Sequence, residues 1–179
     1  MVPNQKKCVF LDRDGVINEE RGDYTYRIED FHIIPGVTDA LKMLTEANYL
    51  LIVITNQAGI SKGIYTREQM QACHNKLHEA TENTIEHIYY CPYHPLITNS
   101  LCRKPGTLMI EKAQARFNID LSQSWFVGDA ERDIECGLQM RLNTIRINEE
   151  PVSDTFAHYQ ATGLLDAVKH YILTNISFK

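Results

Sequence analysis

Three short apolar runs in this sequence end on polar groups: Asp12-Arg13-Asp14-Gly15, Thr55-Asn56-Gln57 and Gly128-Asp129. A fourth group, Arg103-Lys104-Pro105, lies in the loop after another such run. Asp12 and Asp14 stand two residues apart, so on an extended turn both carboxylates reach one small volume. With Asp129 they gather enough anionic oxygen for a hard divalent cation, and Mg²⁺ prefers carboxylates, waters and a phosphate. Such a cation offsets the repulsion between a carboxylate and a phosphate. Lys104 adds positive charge, and the Thr55 hydroxyl with backbone N–H groups near Asn56 can donate to phosphoryl oxygens. Positioning and charge neutralisation are the main demands of phosphoryl transfer. One carboxylate can attack phosphorus to give an aspartyl-phosphate. A second can protonate the leaving oxygen and then deprotonate water. Each group alone reads as an ordinary loop or helix cap. Their conjunction, in this order, points to chemistry.

The elements that must bring them together alternate along the chain. Apolar β-rich runs separated by helical patterns predict an α/β domain with a mostly parallel sheet. Strands are expected at Lys7–Leu11, Tyr49–Ile54, Ile88–Cys91, Trp125–Val127 and Thr144–Ile147. Helices are expected after Pro35-Gly36, over 66–82, 108–117 and 131–140, and over Leu164–Leu173. The helix at 66 opens with a Thr and a Gln three residues on, a capping-box pattern. Ligands of open parallel sheets sit beyond the carboxyl ends of the strands, where the polar groups fall. His74, His78 and Glu82 share one helical spacing and read as a solvated face.

At these motifs the sequence resembles the haloacid dehalogenase superfamily, over nearly the whole chain. Asp14-Gly15-Val16-Ile17-Asn18, Ile54-Thr55-Asn56-Gln57-Ala58-Gly59-Ile60 and Tyr89-Tyr90-Cys91-Pro92 look more narrowly like its histidinol-phosphate and heptose-bisphosphate phosphatase branch. The resemblance implies a Rossmann-like three-layer sandwich with no large cap domain. It implies Asp12 as nucleophile and Asp14 as general acid/base. It implies Mg²⁺ on the side chains of Asp12 and Asp129 and the backbone carbonyl of Asp14, with Asp133 in support. Thr55, Asn56 and Lys104 would hold the phosphoryl group. Arg103 and the loop from Glu20 to Asp23 would contact the rest of the substrate. The implied substrate is a sugar phosphate, D-glycero-D-manno-heptose 1,7-bisphosphate first and histidinol phosphate second. A nucleic-acid 3′-phosphatase and a non-catalytic phosphate-binding protein stand as weaker alternatives.

Two departures from the branch matter. Relatives often carry zinc on a Cys-x-His, then Cys-x-Cys loop. Here Cys91 and Cys102 occupy two of those places, Tyr93 and Ser100 the others, and His94 stands one residue from the usual His. A closed zinc site wants four N/S ligands, so Cys91, His94 and Cys102 form an incomplete set and an inert cysteine pair is the simpler expectation. Ala130 stands where relatives often have a basic residue that reaches the substrate.

The 179 residues suit a single phosphatase domain spanning 1–179. The net charge of −5 gives no global field for nucleic acid or anionic membrane. No apolar run approaches the roughly 20 residues that span a bilayer. The five scattered cysteines argue against a disulfide framework. These features predict a cytoplasmic, monomeric enzyme whose partner is a small phosphate substrate.

Overall fold

Four consecutive apolar residues, Cys8–Leu11, form strand β1, and all four are buried. A strand with no solvent face belongs inside a sheet covered on both sides. The structure, a computed structural model, describes residues 5–174. The ends of the domain expected over 1–179 lie outside the described residues. The other strands are β2 Leu50–Asn56, β3 His87–Cys91, β4 Trp125–Gly128, β5 Asn143–Ile147 and β6 Tyr159–Ala161. Among the described residues these six form one sheet in the order β3-β2-β1-β4-β5-β6, with every pairing parallel. The sheet is therefore wholly parallel rather than mostly so.

Parallel strands need crossovers, usually an α-helix. Four crossovers run through α1 Val37–Glu46, α2 Arg67–Ala80, α3 Leu108–Phe117 and α4 Glu131–Gln139, while β5 reaches β6 without a helix and α5 Leu164–Ala167 follows β6. Alternation along β1 divides the core between two layers. Val9 and Leu11 pack with Val37, Leu41 and Leu44 of α1, Leu77 of α2, and Leu164 of α5. Cys8 and Phe10 face the other way, onto Met109, Ile110 and Ala113 of α3 and Cys136 of α4. Full burial of each large apolar side chain contributes about 1.5–3 kcal/mol, which makes this alternation decisive for register. The result is a three-layer α/β sandwich.

The capping box expected at Thr66 forms. Thr66 Oγ1 accepts the Gln69 N–H at 3.3 Å, and Gln69 Oε1 accepts the Thr66 N–H at 2.9 Å. Three details differ from the sequence reading. Strand β6, three residues long, carries too little pattern to be seen in advance. The last helix is one α-helical turn, continued by a wider π-helical turn over Val168–Ile172 that keeps Val168 and Ile172 buried. His74 is not on a solvated face: it is buried, stacks edge-on with Tyr90, and burial drives its pKa down to about 3.

From β1 the chain moves outward to β2 and β3, then returns to β4 on the opposite side of β1. That reversal opens a crevice at the carboxyl ends of β1 and β4, the place where such sheets bind ligands.

Candidate active site

Asp12 follows the last residue of β1, and its N–H donates to the Val127 carbonyl of β4 at 2.9 Å. The β1–β4 ladder thus fixes its backbone at the crevice. Its side chain is buried against Lys104, whose Nζ lies 2.8 Å from Asp12 Oδ1 and 2.8 Å from Asp133 Oδ1. The same ammonium donates to the Ile54 carbonyl at 2.8 Å. Asn56 brackets the Lys104 backbone: Oδ1 accepts its N–H at 3.1 Å and Nδ2 donates to its carbonyl at 3.3 Å. Lys104 is therefore locked beneath Asp12, with three contacts to protein oxygen. Burial pushes the Asp12 carboxyl up to about 8, against the pull of Lys104, with Asp133 and Asp129 adding to the rise. Burial works against the charge on Lys104, but Asp12 and Asp133 outweigh it and hold its pKa above the ordinary value.

Asp129 follows β4 on the far side of Asp12. Asp12, Asp129 and Asp133 each offer an oxygen within 4.8 Å of the others, the one such acidic group among the described residues. Asp129 Oδ1 is buried without a hydrogen-bond partner there, a costly condition for a carboxylate. Burial, then Asp133, raises the Asp129 carboxyl to about 6. Gly15 makes the approach possible: φ is +77°, and a Cβ there would lie 2.4 Å from Asp129 Oδ2. An orphaned anionic oxygen beside two more carboxylates fits a hard divalent cation. Asp133 is otherwise engaged, since Oδ1 meets Lys104 and Oδ2 accepts the Ala130 N–H at 3.1 Å. Asp12 and Asp129 are thus the better placed direct ligands.

Asp14 lies on the outer side of the turn. Arg13 grips it through Nε at 3.2 Å and Nη2 at 2.9 Å, and Asn18 Nδ2 donates to Oδ1 at 2.9 Å. Arg13 also donates to the Thr25 carbonyl at 2.8 Å, which ties Asp14 to the loop carrying Glu20 and Asp23. Thr55 and Gln57 leave β2 toward the same space. Gln57 Nε2 donates to Thr55 Oγ1 at 3.0 Å, and Tyr65 Oη donates to Gln57 Oε1 at 2.7 Å.

These groups surround a cavity of about 410 Å³ lined by Asp12, Asp14, Thr55, Asn56, Gln57, Glu20, Asp23 and Arg103, among others. Lys104 lies behind its wall. Arg103 contacts the Tyr93 carbonyl at 3.4 Å. The expected site residues thus gather at one place.

The cysteine loop gathers only in part. Cys91 and Cys102 sulfurs stand 2.7 Å apart, with Ser100 Oγ 3.0 Å from the Cys102 sulfur. His94 is not brought to them: it lines the cavity, and its Nδ1 accepts the Leu96 N–H at 3.2 Å. The three-ligand set Cys91, His94 and Cys102 is corrected to a pair of sulfurs. His94 is tied elsewhere, its N–H donating to Ser61 Oγ at 2.9 Å.

Sequence reasoning missed four contributors. Arg13, named only within the Asp12-Arg13-Asp14-Gly15 group, is 1 % exposed. Gln57 stands within the Thr55-Asn56-Gln57 group with no role given to it, and Tyr65 stands in no motif. Arg132 lines the cavity from the first turn of α4. Its place in the first turn of the helix that follows Gly128-Asp129 was the one signal that could have found it.

The family model described as polynucleotide kinase 3 phosphatase matches residues 7–158. A Chlorobaculum tepidum protein named D-glycero-D-manno-heptose-1,7-bisphosphate 7-phosphatase is 36% identical, with 93% of this chain and 94% of that protein covered. A Campylobacter jejuni protein named D-glycero-alpha-D-manno-heptose-1,7-bisphosphate 7-phosphatase is 38% identical over 84% of this chain and 87% of its own. Among solved structures, D,D-heptose 1.7-bisphosphate phosphatase from B. bronchiseptica, complexed with magnesium and phosphate, shares the fold with a TM-score of 0.83. It is 24% identical and covers 94% of this chain and 99% of its own. A putative HAD-like phosphatase from Mesorhizobium loti has a TM-score of 0.79 at 27% identity, covering 93% of this chain and 87% of its own. The chain belongs to the polynucleotide kinase 3 phosphatase family of the haloacid dehalogenase superfamily, with relatives named heptose-1,7-bisphosphate 7-phosphatases.

Proposed function

We propose that this chain is a Mg²⁺-dependent phosphomonoesterase acting through an aspartyl-phosphate on Asp12, with D-glycero-D-manno-heptose 1,7-bisphosphate as substrate and its 7-phosphate as the group removed. The observation that carries the reading is Asp12 itself: a buried carboxylate fixed at a strand end, with Lys104 beneath it and the orphaned Asp129 oxygen beside it. Burial strips water from the attacking oxygen, and Lys104 holds it in place and favours its ionised form against that burial.

In the first step an Asp12 oxygen bonds to phosphorus while the P–O bond to the sugar breaks, and Asp14 gives its proton to the departing sugar oxygen. In the second step Asp14 takes a proton from water, whose oxygen bonds to phosphorus as the Asp12–P bond breaks. Phosphate leaves and both carboxyls are restored. Asp12, Asp129 and the Asp14 carbonyl would hold Mg²⁺, which when bound would supply charge neutralisation at the phosphoryl oxygens. Thr55 and backbone N–H groups near Asn56 hold the same oxygens. Glu20 and Asp23 suit sugar hydroxyls, since carboxylates accept hydrogen bonds. The magnesium and phosphate in the B. bronchiseptica structure and the names of the curated relatives support this reading.

Phosphate release from a substrate panel, with and without Mg²⁺, tests it. The panel holds heptose 1,7-bisphosphate, histidinol phosphate, a small aryl phosphate and a 3′-phosphorylated oligonucleotide. Mg²⁺-dependent release, fastest from the heptose bisphosphate, is expected. Preference for histidinol phosphate or for the oligonucleotide would overturn the substrate, and no release from any would overturn the enzyme class.

A further inference from the structure

Thr55 Oγ1 accepts a hydrogen bond from Gln57 Nε2 at 3.0 Å and donates to no described group. Yet Thr55 is 1 % exposed, and a buried hydroxyl proton with no acceptor is costly. The residue lines the cavity beside Asp12, where the transferred phosphoryl oxygens would lie.

The direction of that proton is set two residues away from the chemistry. Gln57 is buried and has one orientation compatible with its neighbours. Asp14 Oδ2 lies 3.4 Å from Nε2, and in the resting site Asp14 is the anion gripped by Arg13, so an accepting carboxylate faces the amide nitrogen. The amide oxygen must then face Tyr65, whose Oη stands 2.7 Å away and donates to it. Burial pushes the Tyr65 phenol far above its ordinary pKa, so the donor keeps its proton. The Tyr65 ring is itself fixed. It stacks on Tyr26 with centroids 5.0 Å apart and planes 8° from parallel. It also packs so close to Gly59 that a Cβ there would lie 2.1 Å from its Cε1.

We propose that Tyr65 and Gln57 are positioning residues that set the polarity of the phosphoryl site: Tyr65 holds the Gln57 amide nitrogen toward Thr55, and Thr55 must therefore spend its hydroxyl proton on the phosphoryl oxygen. A flipped amide would present Oε1 to Thr55, draw that proton away from the substrate, and set an oxygen against Asp14. Neither residue touches the phosphoryl group in this arrangement. The proposal rests on the phosphatase reading above.

A double-mutant cycle between Tyr65→Phe and Thr55→Val tests it, because a residue acting through another loses its effect once the second is gone. Two readouts serve: kcat/KM on a small aryl phosphate, and binding of inorganic phosphate to the Mg²⁺-loaded protein by calorimetry. Tyr65→Phe keeps the stacked ring and removes only the hydroxyl. It should weaken both readouts about 10-fold with Thr55 present, the size of one hydrogen bond, and less than about 2-fold in the Thr55→Val background. Gln57→Met, close in volume to the native side chain, should behave the same way and serves if Tyr65→Phe unfolds. Thermal unfolding of each variant registers any structural loss separately. Equal losses in both backgrounds would show that Tyr65 acts through packing alone and would overturn the relay, as would full activity and phosphate affinity of both variants with Thr55 present. A wild-type protein that neither hydrolyses a monoester nor binds phosphate would overturn the phosphatase reading and the relay together. An active wild type with additive mutants would overturn the relay only.

Discussion

Replacing Lys104 with Met removes a cation buried between two carboxylates, with Nζ 2.8 Å from each. Methionine retains most of the apolar stem, so charge is the chief loss. Breaking a buried ion pair by removing one partner costs about 3–5 kcal/mol, because the remaining charge has no counter-ion. Here two carboxylates are stranded, which puts the expected cost toward the upper end. Protonation is their one escape. Asp12 already titrates at about 8 with Lys104 in place, and its loss raises the native-state value further. The sign follows. A folded-state pKa above the unfolded one means that the folded chain binds more protons, so stability falls as pH rises between the two values. Keeping a carboxyl protonated costs about 1.4 kcal/mol per pH unit above its ordinary value. Wild-type Asp12 is itself protonated below about 8, so both proteins lose stability alike up to that pH, and the deficit of Lys104→Met relative to wild type should widen only above it, by up to about 1.4 kcal/mol per pH unit. At about 2–4 °C of Tm per kcal/mol, the variant should melt roughly 6–20 °C lower near neutral pH. Thermal unfolding by circular dichroism, in chelator, near pH 7.5 and near pH 9.5 is the assay. A deficit below about 2 kcal/mol, or one equal at the two pH values, would refute the reasoning that Lys104 is the buried counter-ion of this site.

Three further outcomes follow from the same geometry. Asp14→Asn should slow ester hydrolysis by about 10²–10⁴-fold on poor leaving groups and much less on good ones, checked by kinetics across aryl phosphates of graded pKa; equal losses would exclude the acid role. Arg103→Ala should raise KM for the bisphosphate more than for a small monophosphate, because its planar fork can grip a second anion; parallel kinetics on both substrates decide this, and uniform losses would place Arg103 on the reacting phosphoryl group instead. Mg²⁺ must displace protons from Asp12, held at about 8, and Asp129, held at about 6, so its affinity and the thermal stabilisation it gives should rise from about pH 5.5 to pH 8. Titration calorimetry showing pH-independent Mg²⁺ affinity would contradict that assignment.

The sheet was legible because β1, β2 and β4 are nearly unbroken apolar runs, which buried parallel strands require. The carboxyl-end rule then put Asp12, Thr55 and Asp129 together before any coordinate was known. What stayed illegible depends on side-chain direction. Arg13 and Asp14 are adjacent in sequence, and nothing in their order says that the guanidinium folds back onto its neighbour and is buried with it. Lys104 was readable as a cation near the phosphate, but not as one locked beneath Asp12 behind the cavity wall. The Gln57–Tyr65 contact spans a tight loop whose course depends on Gly59, and periodicity carries no information there. The incomplete cysteine set was legible: the expected inert pair of Cys91 and Cys102 is what the structure brings together, while His94 lines the cavity.

Whether Asp12 takes the phosphoryl group is tested most directly by trapping it. Asp14→Asn protein, which lacks the base for the second step, is mixed with Mg²⁺ and an aryl phosphate with a good leaving group, quenched in acid within one turnover, and mapped by mass spectrometry. The account predicts one phosphoryl group, labile to hydroxylamine, on the peptide containing Asp12, and none in Asp12→Asn protein shown free of deamidation. Release of the leaving group with no adduct, or an adduct on any other residue, would contradict it.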